Sequence, residues 1–419
     1  MREMKDSGIP WIGEIPKDWT IELIGNQVKE VNNPNTNGLE DNALQFKMGA
    51  IISKSRGDSK YNPETLEGYN IVDKGVIMLN GLNLSFDLIS QRVGLVRERG
   101  VITSTYLAVK PTNNINSEYL TYLFKAYDNC KAFHSMGRGL RQTLSYGELR
   151  KYLLLYPSLA EQQRIAEFLD RKCAEVDEMI GLQEQIIEEL KAYKQSVITE
   201  AVTKGLNPDT PMRDSGIEWI GQIPEHWRVM QFRRLFEIKK TIANALGYDV
   251  LSVTQGGLKV KDLSANEGQI AQDYSKYQIV GKDDYVMNHM DLLTGFVDCS
   301  TQIGVTSPDY RVFQSICKAD ISLSYFLRIF QTCYKLKIFY HLGQGVSGMG
   351  RWRLPTEQLK LFYLPVPPLI EQLDIADYLD EKCADIDSLI QTKLSKIDSL
   401  KEYKKSIIYE YVTGKREVE

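Results

Sequence analysis

At 419 residues the chain is too long for one ordinary hydrophobic core, and its 43% hydrophobic and 25% charged residues are those of a soluble globular protein of several domains. No apolar run reaches the roughly 18 residues a membrane span needs, and the opening "MREMKDSGIP" lacks the apolar core of a signal peptide; the expectation is a cytoplasmic protein with no membrane contact. The net charge of −4 argues weakly against nucleic acid, but it is unevenly spread: residues 20–156 and 228–366 are mildly basic, while 157–203 and 367–419 are acidic. The six cysteines form no CxxC pair, which suits reduced, mostly buried thiols.

In chain order the first element is a Gly-, Pro- and Trp-containing segment, "DSGIPWIGEIPKDW", at 6–19. Residues 20–156 then read as mixed α/β. "YNIVDKGVIMLNGLN" contains an extended apolar run ending in Asn80, and "GVITSTYLAV" is strand-like with its β-branched residues and Tyr. "INSEYLTYLFKAYDNCKAF" is amphipathic and helical, and the Gly-rich "GRGLRQTLSYGEL" closes the region. At 157–203 a long helix is expected. Pro157 followed by Ser158-x-x-Glu161 supplies a capping-box start. Leu169, Cys173, Val176, Ile180, Ile187 and Leu190 fall on an apolar seam in steps of three and four. Gly205 supplies a stop, and residues 204–213 read as a linker.

At 214–227 the chain restarts with "DSGIEWIGQIPEHW", identical to the first copy at ten of fourteen positions. Residues 228–366 resemble 20–156 only loosely: "YQIVGKDDYVMNHMD" answers the apolar run and ends it in Asn288, and "GVTSPDYRVF" answers the second strand-like stretch. Residues 367–413 repeat 157–203 closely, with 23 of 47 positions identical at a constant offset of 210, and Leu379, Cys383, Ile386, Ile390, Ile397 and Leu400 lie on the same seam. Gly414 opens a short tail, 414–419. Such a period is a whole-domain duplication. The fold class is therefore α/β (α+β): two mixed domains at 1–156 and 214–366, and two long helices of about 36–40 residues each. Each helix has one apolar stripe that needs a partner. Pairing with each other is the economical solution, in either direction, and pairing with other molecules is the alternative.

Catalytic signatures are missing. The sequence has no GxxxxGK[ST] loop, no "DPPY" or "NPPY" tetrapeptide and no GxSxG, and its four histidines lack metal-ligand spacing. No catalytic or metal-ligating residue is assigned. What recurs in both halves is clustered basic and amide residues on loops. The first half carries Lys54, Arg56 and Lys60 in "SKSRGDSK", Asn80 and Asn83, and Arg138 and Arg141 in the Gly-rich stretch. The second carries Gln255, Lys259, Lys261, Asn288, Arg351 and Arg353. Arginine and lysine on Gly-permitted loops suit phosphate oxygens or the O6 and N7 of guanine, and Asn or Gln suits adenine. Any one of them is also an ordinary solvated surface residue; the case rests on the recurrence. Each Trp-containing segment is expected to dock on its own domain or on the base of the helices and to touch no base.

On three features the sequence resembles the specificity (S) subunits of type I restriction-modification systems: the doubled "DSGI-WIG-IP--W" segment, the doubled "P-L-EQ--IA--LD-K-A--D" block at 157–177 and 367–387, and the alternation of domain, helix, domain, helix over essentially the whole chain. The resemblance implies two target-recognition domains, each reading one half of a bipartite double-stranded DNA target. It implies that the two helices pack antiparallel as a coiled coil related by a pseudo-two-fold axis, set the spacing between half-sites and dock two modification (M) subunits. The S subunit is then no enzyme and binds no cofactor: S-adenosylmethionine belongs to the M subunits, and ATP and Mg to the restriction (R) subunits where these join. Two other readings compete. One is a self-sufficient or fused DNA methyltransferase or nuclease component, and the other is a coiled-coil scaffold that does not bind DNA.

Overall fold

The computed structural model describes residues 2–418 apart from 37, 39, 55–65, 85–90, 138–141, 262–273 and 346–351. The chain divides into two compact units, one formed by Met1–Glu184 with Leu394–Glu419 and the other by Gln185–Lys393. Among the described residues no helix is long and apolar enough to cross a membrane.

The duplicated opening segment is a β-hairpin. Met4–Asp6 pairs antiparallel with Glu14–Pro16, and Met212–Asp214 pairs with Gln222–Pro224, so the stretch read as a linker ends inside a strand. The repeated letters follow from the turn. The Asp6 and Asp214 carboxylates each accept the backbone N–H two residues on, at 2.9 Å. The Ser7 and Ser215 hydroxyls do the same at 3.1 Å. Gly8, Gly13, Gly216 and Gly221 all sit at φ between 66° and 73°, where a Cβ is strained.

The core of each domain is a four-stranded antiparallel sheet. In the first unit the order is Val28–Glu30, Leu107–Pro111, Ile77–Leu79, Val93–Leu95; in the second it is Phe236–Lys239, Arg311–Ser315, Tyr285–Met287, Val297–Cys299. The registers superimpose: Leu107 opposes Leu79 as Arg311 opposes Met287. A helix covers each sheet, Ser117–Asn129 in one and Leu323–Lys335 in the other, burying Tyr119, Leu120, Leu123 and Phe124, or Tyr325, Phe326, Ile329 and Phe330. The continuous helix expected over "INSEYLTYLFKAYDNCKAF" is broken. Lys131 and its counterpart Lys337 adopt left-handed φ of 60° and 57°, ending one helix and starting a short second one, Ala132–Met136 or Ile338–His341. The break folds Phe133 and Phe339 back into the cores.

The central helix, Leu159–Lys204, and the distal helix, Leu369–Val412, run 46 and 44 residues, longer than the 36–40 expected. They end against Gly205 and Gly414 at φ of 79° and 68°. Within the first unit they are antiparallel: Phe168 packs on Tyr411 at 4.3 Å between ring centroids, and further along Asp177 pairs with Lys404 at 2.6 Å. The second unit repeats this, with Lys194 on Asp387 at 2.6 Å and with Glu371 and Gly205 both against the Trp227 indole. Of the seam positions, Leu169, Cys173, Val176, Ile187, Leu379, Cys383, Ile386, Ile390 and Ile397 are buried, while Ile180, Leu190 and Leu400 are half-buried.

A shared girdle ties each domain to its helices. Trp19 and Trp227 are 1% exposed, and their indole N–H groups donate to Glu161 (3.0 Å) and Glu371 (2.8 Å). The sequence assigns Glu161 to a reciprocal capping box. Ser158 does accept the Glu161 N–H at 3.3 Å, but the Glu161 carboxylate turns to Trp19 and to Arg2 (2.6 Å). A buried indole N–H without a partner is costly, and the helix N–H groups at the surface keep water. The neighbouring Gln162 and Gln372, both fully buried, accept the N–H of the residue that caps the sheet-covering helix (Asn116 at 2.9 Å, Ser322 at 2.8 Å) and donate to Pro157 and Pro367. Tyr119 and Tyr325 each donate to the carbonyl near the end of the opposing long helix, Val412 or Val202. The "P-L-EQ" block is thus a set of hydrogen-bond partners. Trp11 and Trp219 pack beside it on Tyr127 and Phe362.

Candidate nucleic-acid interface

Of the residues singled out in the sequence, Lys54, Asn80, Asn83, Gln255, Lys259, Lys261, Asn288 and Arg353 fall among the described residues. Lys54 and Lys261 occupy equivalent places: each follows the second strand of a small hairpin (Leu44–Lys47 with Ala50–Ser53; Leu251–Thr254 with Gly257–Val260) and donates its backbone N–H to Ala43 or Val250. Gln255 lies in the turn of the second hairpin and Lys259 on its strand, both exposed. Asn80 and Asn288 are likewise equivalent, each leaving the strand that pairs with the centre of the sheet. Their side-chain oxygens accept the N–H of Leu82 (3.2 Å) and Met290 (3.3 Å), so one role of each amide is to hold its turn. Asn83 is exposed at φ 51°. Arg56, Lys60, Arg138, Arg141 and Arg351 lie outside the described residues.

In the second unit the structure brings several of these together. Lys261 and Asn288 line a cavity of about 330 Å³, and Arg353 lines an adjoining one of about 260 Å³; Met290, Asp309 and Tyr310 belong to both walls. Gln255 and Lys259 line neither. The smaller cavity also holds Lys239, Lys240, His289 and Arg311, which the sequence reading missed. Burial, then the charges of Arg311 and Arg353, bring the His289 imidazole down to about 4, and burial brings the Arg311 guanidinium down to about 10. A signal for Arg311 existed: it interrupts an apolar strand at the place where "GVITSTYLAV" has Leu107.

The first unit buries a different arginine. Arg92 is 1% exposed, and its guanidinium donates to the carbonyls of Asn80 (2.9 Å) and Leu82 (2.8 Å), bracing the loop that carries Asn80 and Asn83. Its backbone N–H donates to Asp128 (2.8 Å), whose carboxyl is raised chiefly by burial. Phe296 stands at the matching position of the second unit, since Asn288 donates to its carbonyl as Asn80 does to that of Arg92. Among the described residues no group of His, Cys, Asp and Glu is placed to hold a metal ion.

The basic residues gathered around the adjoining cavities of the second unit suit a polyanion. Comparison with known proteins decides the family. The model of the type I restriction modification DNA specificity domain matches residues 96–192 and 224–399, more than half of the chain. The chain belongs to the type I restriction-modification specificity family. It is 25% identical to the MjaX and 23% identical to the MjaVIII type I restriction enzyme specificity subunits of Methanocaldococcus jannaschii, covering 96% of this chain and 95% and 93% of theirs. In fold, the specificity-family chain is similar to a chain solved in a study of complex assembly and conformational transition of the type I R-M system (TM-score 0.67, 13% identity, 96% of this chain and 99% of that one). It is also similar to the HsdS subunit from Thermoanaerobacter tengcongensis (TM-score 0.51, 13% identity, 96% and 98%).

Proposed function

We propose that each domain reads one half of a bipartite double-stranded DNA target, while the paired helices set the gap between the half-sites and dock two M subunits. The observation that supports this most is the contrast inside the repeat. The Trp, Glu, Gln and Tyr of the girdle that fixes each domain to its helices recur, whereas matched positions of the two sheets differ in charge, Val31, Val76 and Leu107 against Lys239, Asp284 and Arg311. Two copies of one reader with two different reading surfaces suit a target of two unlike blocks. On this reading the chain contributes recognition and no catalysis. Methyl transfer from S-adenosylmethionine is the work of the M subunits, and ATP- and Mg-dependent cleavage that of R subunits where they join, all in the cytoplasm.

Lys54, Lys261 and Arg353, with Lys259, are the proposed phosphate contacts, and Asn80, Asn83, Gln255 and Asn288 the proposed base-edge contacts. The test is sequencing of methylated adenines in DNA from cells that express the chain with its M partner. The expected motif is two short blocks around a fixed gap. Exchanging residues 20–156 for another such domain is expected to change one block and leave the other and the gap. A motif that changes in both blocks, or has no gap, counts against the reading.

A further inference from the structure

The 260 Å³ cavity of the second unit concentrates positive charge that its own fold does not use. Arg311 is 5% exposed. One of its terminal nitrogens donates to the Leu354 carbonyl (3.2 Å) and the Thr356 hydroxyl (2.9 Å), while the other, Nη1, is buried without a partner. His289 Nδ1 is also buried without a partner. Arg353 and Lys240 stand exposed at the same cavity, and among the described residues no carboxylate pairs with Arg311, Arg353 or Lys240. Lys239 is already matched by Asp284 at 2.8 Å, and Asp309 sits exposed on the rim. A buried guanidinium with an idle donor is unfavourable unless something accepts from it.

The first unit shows that the frame does not require these cations. Aligning the two sheets by strand register sets Arg311 on Leu107, Lys239 on Val31 and Asp284 on Val76. The parallel backbone bonds Leu144 to Gly81 and Leu354 to His289 set His289 on Gly81 and Arg353 on Thr143. The same sheet therefore folds with neutral residues at every one of these places. We propose that the cavity is an anion subsite of the second recognition domain, absent at the matching positions of the first, which takes one phosphodiester group of the DNA backbone and fixes the register of that domain on its half-target. Arg353 and Lys240 reach the phosphate, Arg311 supports it from beneath, and neutral His289 offers a ring N–H. Several converging cationic donors suit a phosphate better than a base edge, which requires a fixed pairing of donor and acceptor. The DNA assignment rests on the functional reading above; the anion site itself does not.

The test has two arms. In the first, inorganic phosphate is titrated into the full chain carrying isotope-labelled histidine. One ring signal, identified by its loss in His289→Gln, is expected to shift saturably and to gain proton occupancy, because a bound anion favours the imidazolium. Arg353→Gln, a surface change that spares the core, is expected to abolish the shift. No saturable shift, or one indifferent to Arg353→Gln, overturns the proposal. In the second, the chain is assembled with M subunits on target and scrambled DNA. Arg353→Gln and Lys240→Gln are each expected to weaken binding to both DNAs alike by about tenfold and to lower the salt slope by about 1. A change in the second block of the methylated motif instead assigns the cavity to base reading and sinks the phosphate assignment. A wild-type assembly that methylates no two-block motif overturns the functional reading and with it the DNA assignment, while the phosphate titration still decides whether the cavity is an anion site.

Discussion

The two units agree at their helix ends and part company at the loop ends of their sheets. At the helix ends Trp19 and Trp227, Glu161 and Glu371, Gln162 and Gln372, and Tyr119 and Tyr325 make the same hydrogen bonds. At the sheets, Val31, Val76 and Leu107 in one unit become Lys239, Asp284 and Arg311 in the other. The difference separates what the frame needs from what a ligand needs. A buried indole or amide is kept because its partner is lost with it. A charge that the sister unit replaces with an aliphatic side chain is not required by the frame itself, even where, as with Lys239 and Asp284, it has found a partner.

The largest expected effect probes the common part. Trp19→Ala and Trp227→Ala each remove a fully buried side chain and should lower stability by about 3–5 kcal/mol, measured by urea unfolding. Unequal losses would show that the girdles are alike in geometry only. Next, Lys239→Val strands the buried Asp284 carboxylate and should cost about 3 kcal/mol. Adding Asp284→Val, which copies the Val31 and Val76 of the first unit, should recover most of that. Failure to recover would mean that the second sheet has come to depend on its ion pair.

His289 gives the second unit a pH response that Gly81, at the matching place, cannot give the first. His289 is held at about 4 against an ordinary 6.5, so between these values the unfolded chain binds more protons than the folded one. This contribution is complete above about pH 6.5 and is lost as pH falls toward 4. It amounts to about 2 kcal/mol with allowance for partial hydration of the ring. His289→Gln should flatten the stability curve in that window.

Gly81, its counterpart, has no room for a side chain: a Cβ there meets the Leu144 carbonyl oxygen at 2.5 Å. Gly81→Ala is expected to cost about 1–2 kcal/mol by thermal unfolding, although the second unit carries an imidazole at the same place. Smallest of all, double-mutant cycles on Asp177–Lys404 and Asp387–Lys194 should each return under about 1 kcal/mol, because both carboxylates are exposed.

Much of this was legible in the sequence. The duplication, the two long helices, the apolar seam and the Gly stops are local or periodic signals, and short-range chemistry writes them directly into the chain: an Asp and a Ser that hold a turn, a glycine that ends a helix. Less legible were contacts between residues far apart in sequence. Nothing near Glu161 says that its carboxylate leaves the helix cap for an indole 142 positions away. Nothing near Lys131 says that a left-handed residue will split an amphipathic run so that Phe133 reaches the core. Of the proposed contacts, Lys261, Asn288 and Arg353 were chosen by residue type, and the fold set them around adjoining cavities. Arg311 and His289 were passed over because charge in a strand and a lone histidine carry no pattern of their own.

The sequence by itself determined that one domain and one helix occur twice, since identity at a constant offset needs no coordinates to be seen. The tertiary structure alone decided that the helices run antiparallel within each unit, that the repeated Trp-containing segment is a hairpin pinned to the helix ends, and that the second sheet buries charge where the first buries aliphatic carbon. Those outcomes depend on which distant groups meet, and a hydrogen bond or an unpaired guanidinium exists only once they do.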